Sequence, residues 1–209
     1  MSEALVRVRE IATQMNNGTY AAADRAAAAL EVEGLFAEMI AAANARGSDG
    51  EYLLAGMQGD VAPFDDTGAY FGDDQERWLV GTEGELHRAS VPGSILTAAE
   101  GVDVLGAVTA LGAALQANDT TALQAVLPDL GAAVEQVASG RSRAGAASAA
   151  LSANVDALGD LQVQLTASIE AAVLTDPIEA ATELARFSSQ LEASRIVAER
   201  IASLIGPGR

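Results

Sequence analysis

The start of the chain shows a helical pattern of apolar residues. In residues 4–15 the apolar positions recur at a spacing of three or four, which places them on one face of a helix: Leu5, Val8, Ile11, Ala12 and Met15. Asn16-Asn17-Gly18 then interrupts the pattern. A second helix is predicted over residues 20–45, with Thr19 as its N-cap and Gly47 as its terminator. We expect its apolar side to comprise Leu30, Phe36, Met39 and Ile40.

The segment over residues 51–97 follows no helical period. It holds most of the aromatic residues, namely Tyr52, Phe64, Tyr70, Phe71 and Trp78. Short apolar runs at residues 52–55 and 77–80 are separated by turn-forming Pro, Gly and Asp residues. Such runs between turn residues are typical of β-strands and hairpins, so a small β-rich insert is predicted here.

The helical pattern returns at residue 98 and continues to the end of the chain. A helix is predicted over residues 101–117, after which Asp119 or Thr120 can cap a long helix that continues beyond Pro128. The long helix has a 3-4 spacing typical of a coiled-coil or bundle seam, formed by Leu151, Val155, Leu158, Leu165 and Ile169. Asp176-Pro177 predicts a break and a new helix. In that helix we predict a subunit interface at Leu184, Phe187, Leu191, Ile201 and Ile205.

These patterns predict a mainly α fold, an elongated bundle of long antiparallel helices with a small β-rich insert. The predicted organisation is a first helical part at residues 1–50, the insert at 51–97 and a second helical part at 98–209, which ends in a coiled-coil-like helix. Abundant alanine and only 4% aromatic residues support long, closely packed helices.

Charge and composition exclude several classes of partner. With 29 acidic residues against 12 arginines and no lysine, the formal net charge is -17, which disfavours nucleic acid and anionic membrane surfaces. Cysteine is absent, so disulfides and thiolate metal sites are excluded. The stretch from residue 104 to 118 is too short for a membrane-spanning helix, and no cleavable secretory signal is visible at the N-terminus.

The residues that could support catalysis lack a recognisable arrangement. His87 is the only histidine, and Ser90 three positions later does not complete a catalytic signature. The aspartates of the insert do not follow calcium-loop spacing and are interpreted as turn formers. The segment Gly56-Met57-Gln58-Gly59 matches no phosphate-binding loop. We therefore predict neither an enzyme nor a cofactor or metal site.

An ordered set of short motifs resembles the flagellin superfamily, and most closely the family of flagellar hook-associated protein 3 at the hook-filament junction. The set is spread over nearly the whole chain. It includes Asn17-Gly18-Thr19, Asp24-Arg25, Gly50-Glu51-Tyr52-Leu53-Leu54-Ala55-Gly56, Gly68-Ala69-Tyr70-Phe71-Gly72-Asp73, Val91-Pro92-Gly93 and Gln190-Leu191-Glu192-Ala193-Ser194.

The resemblance implies an extracellular structural protein of the bacterial flagellum, exported without a cleaved signal peptide. It implies other axial proteins as partners, namely flagellin and hook-associated proteins, together with a homo-oligomeric state and an export chaperone. Family members begin with a further helical segment, whereas this sequence opens at what resembles the middle of the helical domain. Two other hypotheses stay open, a filament flagellin and an acidic helical adaptor unrelated to motility. An enzyme that depends on His87 is a third.

Overall fold

The computed structural model of the chain describes residues 1–81, 84–175 and 177–205, with the side chains of 172–175, 177–180 and 199–205 left undescribed. Within these ranges the fold is mainly α, which confirms the predicted fold class. The helices are α1 (Ser2–Met15), α2 (Ala22–Ala43), α3 (Val104–Gln116), α4 (Thr120–Thr175) and α5 (Pro177–Ile205). Strands β1 (Trp78–Val80) and β2 (Leu86–Arg88) form a small two-stranded antiparallel sheet. None of the described helices is both long and apolar enough to cross a membrane.

The chain divides into two compact units. Unit 1 comprises residues 1–78 and 88–147, and unit 2 comprises residues 79–87 and 148–209. Helix α4 belongs to unit 1 up to residue 147 and to unit 2 beyond it. The predicted division at residues 50 and 97 stays a prediction.

Unit 1 is built around one helical core. The largest fully buried side chain is Phe64 of the insert, and the others come from α1, α2, α3 and the first part of α4, including Leu5, Ile11, Met39, Leu111 and Leu130. The five apolar residues predicted for the inward face of α1 are all buried. Burial of each such leucine or isoleucine contributes about 1.5–3 kcal/mol to stability.

Helix α2 buries the predicted stripe except for Leu30, because Met39 is fully buried and Phe36 and Ile40 are partly buried against the core. Leu30 is 68% exposed, whereas Ala29 and Val32 are almost fully buried. Neighbouring positions on a helix differ by about 100° in direction, so a stripe centred on Ala29 and Val32 turns Leu30 outward. The small alanine side chains permit close packing against α3, which the sequence pattern of large residues does not reveal.

The predicted capping residues were partly wrong. Helix α2 begins after Ala21, whose backbone N–H donates to Asp24 Oδ2 at 2.9 Å, so Thr19 is not its N-cap. The helix ends with Asn44 as its C-cap, three residues before the predicted terminator Gly47. Asp119 is confirmed as the residue that caps α4, because its Oδ1 accepts from the N–H groups of Thr121 and Ala122.

The insert contains fewer strands than predicted. The run at residues 77–80 is confirmed as a strand by β1, but residues 52–55 form turns after a single bridge between Arg46 and Tyr52. There the backbone bonds to neighbouring loops, as when Tyr52 N–H donates to the Gly59 carbonyl at 2.7 Å. Asp176, the predicted break before α5, lies outside the described residues.

Candidate interaction surfaces

Helix α5 carries the predicted interface. Leu184 and Leu191 are 47% and 58% exposed, and Phe187 between them is half-buried. Their spacing of three and four places the three side chains on one face of the helix. Ile201 and Ile205 belong to the same helix, but their side chains lie outside the described residues. The interface role of all five stays a prediction.

The second part of α4 has a mixed apolar face. Leu151, Leu165 and Ile169 are half-buried, whereas Val155 and Leu158 are largely exposed. Both α4 and α5 also expose apolar side chains outside the predicted seams, namely Leu161 and Val163 on α4 and Ile196 and Val197 on α5. Apolar side chains grouped on an exposed surface are typical of sites that another protein covers.

The aspartates of the insert shape its turns. Asp65 Oδ1 accepts from Thr67 Oγ1 at 2.7 Å and from the N–H groups of Thr67 and Ala69, each at 2.9 Å. The hydrogen bond from Thr67 Oγ1, followed by the one from the Ala69 backbone, holds the pKa of Asp65 below its usual value. Asp73 Oδ1 similarly accepts from the N–H groups of Met57 and Gln75. The carboxylates of Asp65 and Asp73 therefore serve as hydrogen-bond acceptors for the backbone of these turns.

Tyr70 joins the loops of the insert to the core. Its hydroxyl donates to the Asp73 carbonyl at 2.7 Å, and its ring lies against that of buried Phe64 at a centroid distance of 5.1 Å. Burial, assisted by the negative charge of Asp74, raises the pKa of Tyr70. The phenol is therefore a neutral structural group and carries no charge at neutral pH.

The residues considered for catalysis have other contacts. His87 Nε2 lies 3.1 Å from Glu85 Oε1, while Ser90 Oγ accepts from the Arg77 backbone N–H at 2.8 Å. Gly56 adopts a φ of +70°, and a side chain there would collide with Asp73. No three His, Asp or Glu side chains converge as metal ligands within the described part of the chain.

Arg25 is a buried charged residue that none of the predicted sites included. Arg25 is only 4% exposed, and its guanidinium bonds the carbonyls of Met15 and Asn17 and the side chain of Asn118. The only sequence signal was a single arginine at a position that falls on the inward stripe of α2. These contacts join the turn between α1 and α2 to the turn between α3 and α4.

The helical units and the small hairpin define a fold found in solved flagellar hook-associated proteins. FlgL of Xanthomonas campestris has a TM-score of 0.73 and 18% identity, over 81% of this chain and 89% of that one. Bacillus cereus FlgL gives 0.62 and 18%, over 79% of each chain. Hook-associated protein 3 of Legionella pneumophila gives 0.62 and 15%, over 81% of this chain and 88% of that one.

These similarities confirm the predicted family resemblance at the level of the fold. No protein-family model matches the sequence, and comparison with curated proteins gives no match.

Proposed function

We propose that this protein is a structural subunit of the bacterial flagellum at the hook-filament junction. The observation that carries the proposal is a shared fold over about four fifths of the chain, with structures of FlgL and hook-associated protein 3. The ordered motifs of the sequence support the same conclusion independently. The protein performs no chemistry in this role and acts by packing against other subunits.

The proposed assembly contacts lie on unit 2. Its helices expose Leu184 and Leu191 on α5 and Val155 and Leu158 on α4. Covering these side chains with helices of neighbouring subunits would remove apolar surface from water, at about 25 cal/mol per Å². Flagellin, hook-associated proteins and further copies of this chain are the partners in the proposal, and an export chaperone holds the chain before assembly.

The proposed location is outside the cell, reached by export without a cleaved signal peptide. Appendages sheared from the native bacterium and analysed by peptide mass spectrometry test this location. We expect peptides of this chain in the appendage fraction, in far smaller amount than the main filament protein. An amount equal to that of the main filament protein would support a filament flagellin instead. Recovery only from the cell body would favour the acidic adaptor and contradict the proposal.

A further inference from the structure

The insert of unit 1 presents an apolar surface that its own fold leaves uncovered. Met57 and Phe71 are 55% and 57% exposed, and Val61 is 44% exposed. We call the exposed side chains of Met57, Val61 and Phe71, with those of Asp60 and Asp74, the loop surface. Its residues come from two adjoining loops, over residues 55–63 and 71–75.

Backbone hydrogen bonds hold the two loops together. The Met57 N–H donates to Asp73 Oδ1 at 2.9 Å, and the Asp73 N–H donates to the Ala55 carbonyl at 3.3 Å. The Phe71 N–H donates to the Pro63 carbonyl at 2.8 Å. Because the bonds fix both loops, the apolar side chains are presented on a preformed surface, and a partner pays little ordering entropy to bind them.

The charged side chains of the loop surface, Asp60 and Asp74, are both carboxylates. Residues 47–76 contain eight carboxylates and no basic residue: Asp49, Glu51, Asp60, Asp65, Asp66, Asp73, Asp74 and Glu76. Glu51 and Glu76 pair with Arg77 and Arg88. Within the described residues, Asp60, Asp66 and Asp74 form no ion pair, and Asp60 and Asp74 are exposed. Asp60 and Asp74 therefore present negative charges that no described ion pair compensates.

This combination selects the chemistry of the partner. A second copy would bring a chain of net charge -17, and nucleic acid would bring phosphates, so neither complements the charge of Asp60 and Asp74 on this surface. We propose that the loop surface binds a positively charged segment of a different protein, with Arg or Lys side chains beside apolar ones. The cations would meet Asp60 and Asp74 while an apolar side chain covers Phe71 and Met57. The inference goes beyond the proposed function and does not depend on it.

A binding titration of the purified full-length chain tests the proposal. The probe is a fluorescently labelled synthetic peptide of four Arg-Leu repeats, measured by anisotropy. A peptide of four Arg-Ser repeats has the same charge without the apolar side chains. We expect the Arg-Leu peptide to bind about tenfold more tightly than the Arg-Ser peptide, because only the former covers apolar surface. Equal affinity of the two peptides, or no binding of the Arg-Leu peptide, would overturn the proposal.

Variants of the chain locate the binding. Asp60→Asn with Asp74→Asn removes two exposed charges, and a second variant adds Phe71→Ser. The matched control combines Leu30→Ser, Glu33→Gln and Glu38→Gln, all exposed positions of α2 in the same unit. We expect Arg-Leu binding to weaken about threefold in the first variant and about tenfold in the second, and to stay within about twofold in the control. An equal loss in the control would show that general negative charge binds the peptide and would overturn the assignment.

The double aspartate variant also separates loss of binding from loss of folding. It alters only exposed side chains without ion pairs, and its circular dichroism spectrum and thermal midpoint should match those of the parent chain. The outcome is independent of where the protein is found in the cell, so the loop surface and the flagellar location succeed or fail separately.

Discussion

At the scale of single residues, Arg25 carries a buried charge that neutral oxygens satisfy. Its Nε donates to the Met15 carbonyl at 3.0 Å, its Nη1 to Asn118 Oδ1 at 2.7 Å and its Nη2 to the Asn17 carbonyl at 3.1 Å. The Met15 and Asn17 carbonyls lie at the C-terminal end of α1, where the helix dipole favours a cation. Arg25 thus caps α1 and ties the α1–α2 turn to the α3–α4 turn.

Removal of the Arg25 side chain should destabilise unit 1. We expect Arg25→Ala to lower the free energy of unfolding by about 2–4 kcal/mol, because it leaves buried acceptors without donors. Urea unfolding followed by circular dichroism measures the change. Arg7→Ala is the control, since Arg7 pairs with Glu31 at the surface and exposed pairs contribute little. Equal midpoints for the two variants would contradict the structural role of Arg25.

Asp65 makes the stability of the insert depend on pH. Hydrogen bonds led by that from Thr67 Oγ1 lower its pKa in the folded state. The stabilisation is therefore present above the unfolded-state pKa of about 3.9 and is lost as the pH falls through the folded-state value. We expect Asp65→Asn to unfold at lower urea concentration than the parent chain at pH 7, with the difference shrinking near pH 3. Asp66→Asn is the control, and a gap that persists at pH 3 would contradict this explanation.

At the scale of elements, periodicity predicted the helices well and their ends less well. The apolar spacing of Leu5, Val8 and Ile11 predicted the buried face of α1, because large residues mark that face directly. The buried face of α2 is marked by alanines, which are common on every side of this helix, so Leu30 was misplaced. Thr19 is not the N-cap of α2, because Ala21 occupies that position and its backbone N–H donates to the Asp24 carboxylate.

The sequence predicted some surface features and missed others. The apolar face of Leu184, Phe187 and Leu191 follows from local helical spacing, and its role in an interface stays a prediction. Arg25 could not, since its partners Met15 and Asn118 meet only after the helices pack. The loop surface escaped prediction because hydrogen bonds such as that from the Phe71 N–H to the Pro63 carbonyl, which no periodic pattern marks, position its loops. Residues 52–55 resembled a strand in composition, yet no partner strand exists beside them among the described residues.

The seam of α5 can be tested with charged substitutions. Leu184→Glu with Leu191→Glu would place two carboxylates on the exposed apolar face, where contact with another helix would have to bury them at high cost. We expect this variant to be lost from sheared appendages while unit 1 keeps its thermal midpoint. Ser189→Glu with Ala193→Glu adds the same charge to the opposite face and should assemble normally. Normal incorporation of the first variant into appendages would show that this face of α5 is not part of the interface.

At the scale of the whole molecule, the two units present their apolar residues in different ways. Unit 1 has a continuous buried core, and its exposed large apolar side chains, such as Leu30 and Phe71, lie outside that core. Unit 2 leaves Leu158, Leu184 and Leu191 about half exposed. A chain that buries one apolar set itself and exposes another is suited to a subunit whose second set is covered during assembly.

Gold labelling of an epitope-tagged chain on isolated flagella tests the proposed location most directly. The tag belongs in the exposed turn at Gly84, with an untagged strain and a strain carrying tagged filament flagellin as controls. We expect electron microscopy to show label in a single narrow band between the hook and the filament of each flagellum. Label along the whole filament, or no label on flagella from motile cells that express the tagged chain, would contradict a structural role at the hook-filament junction.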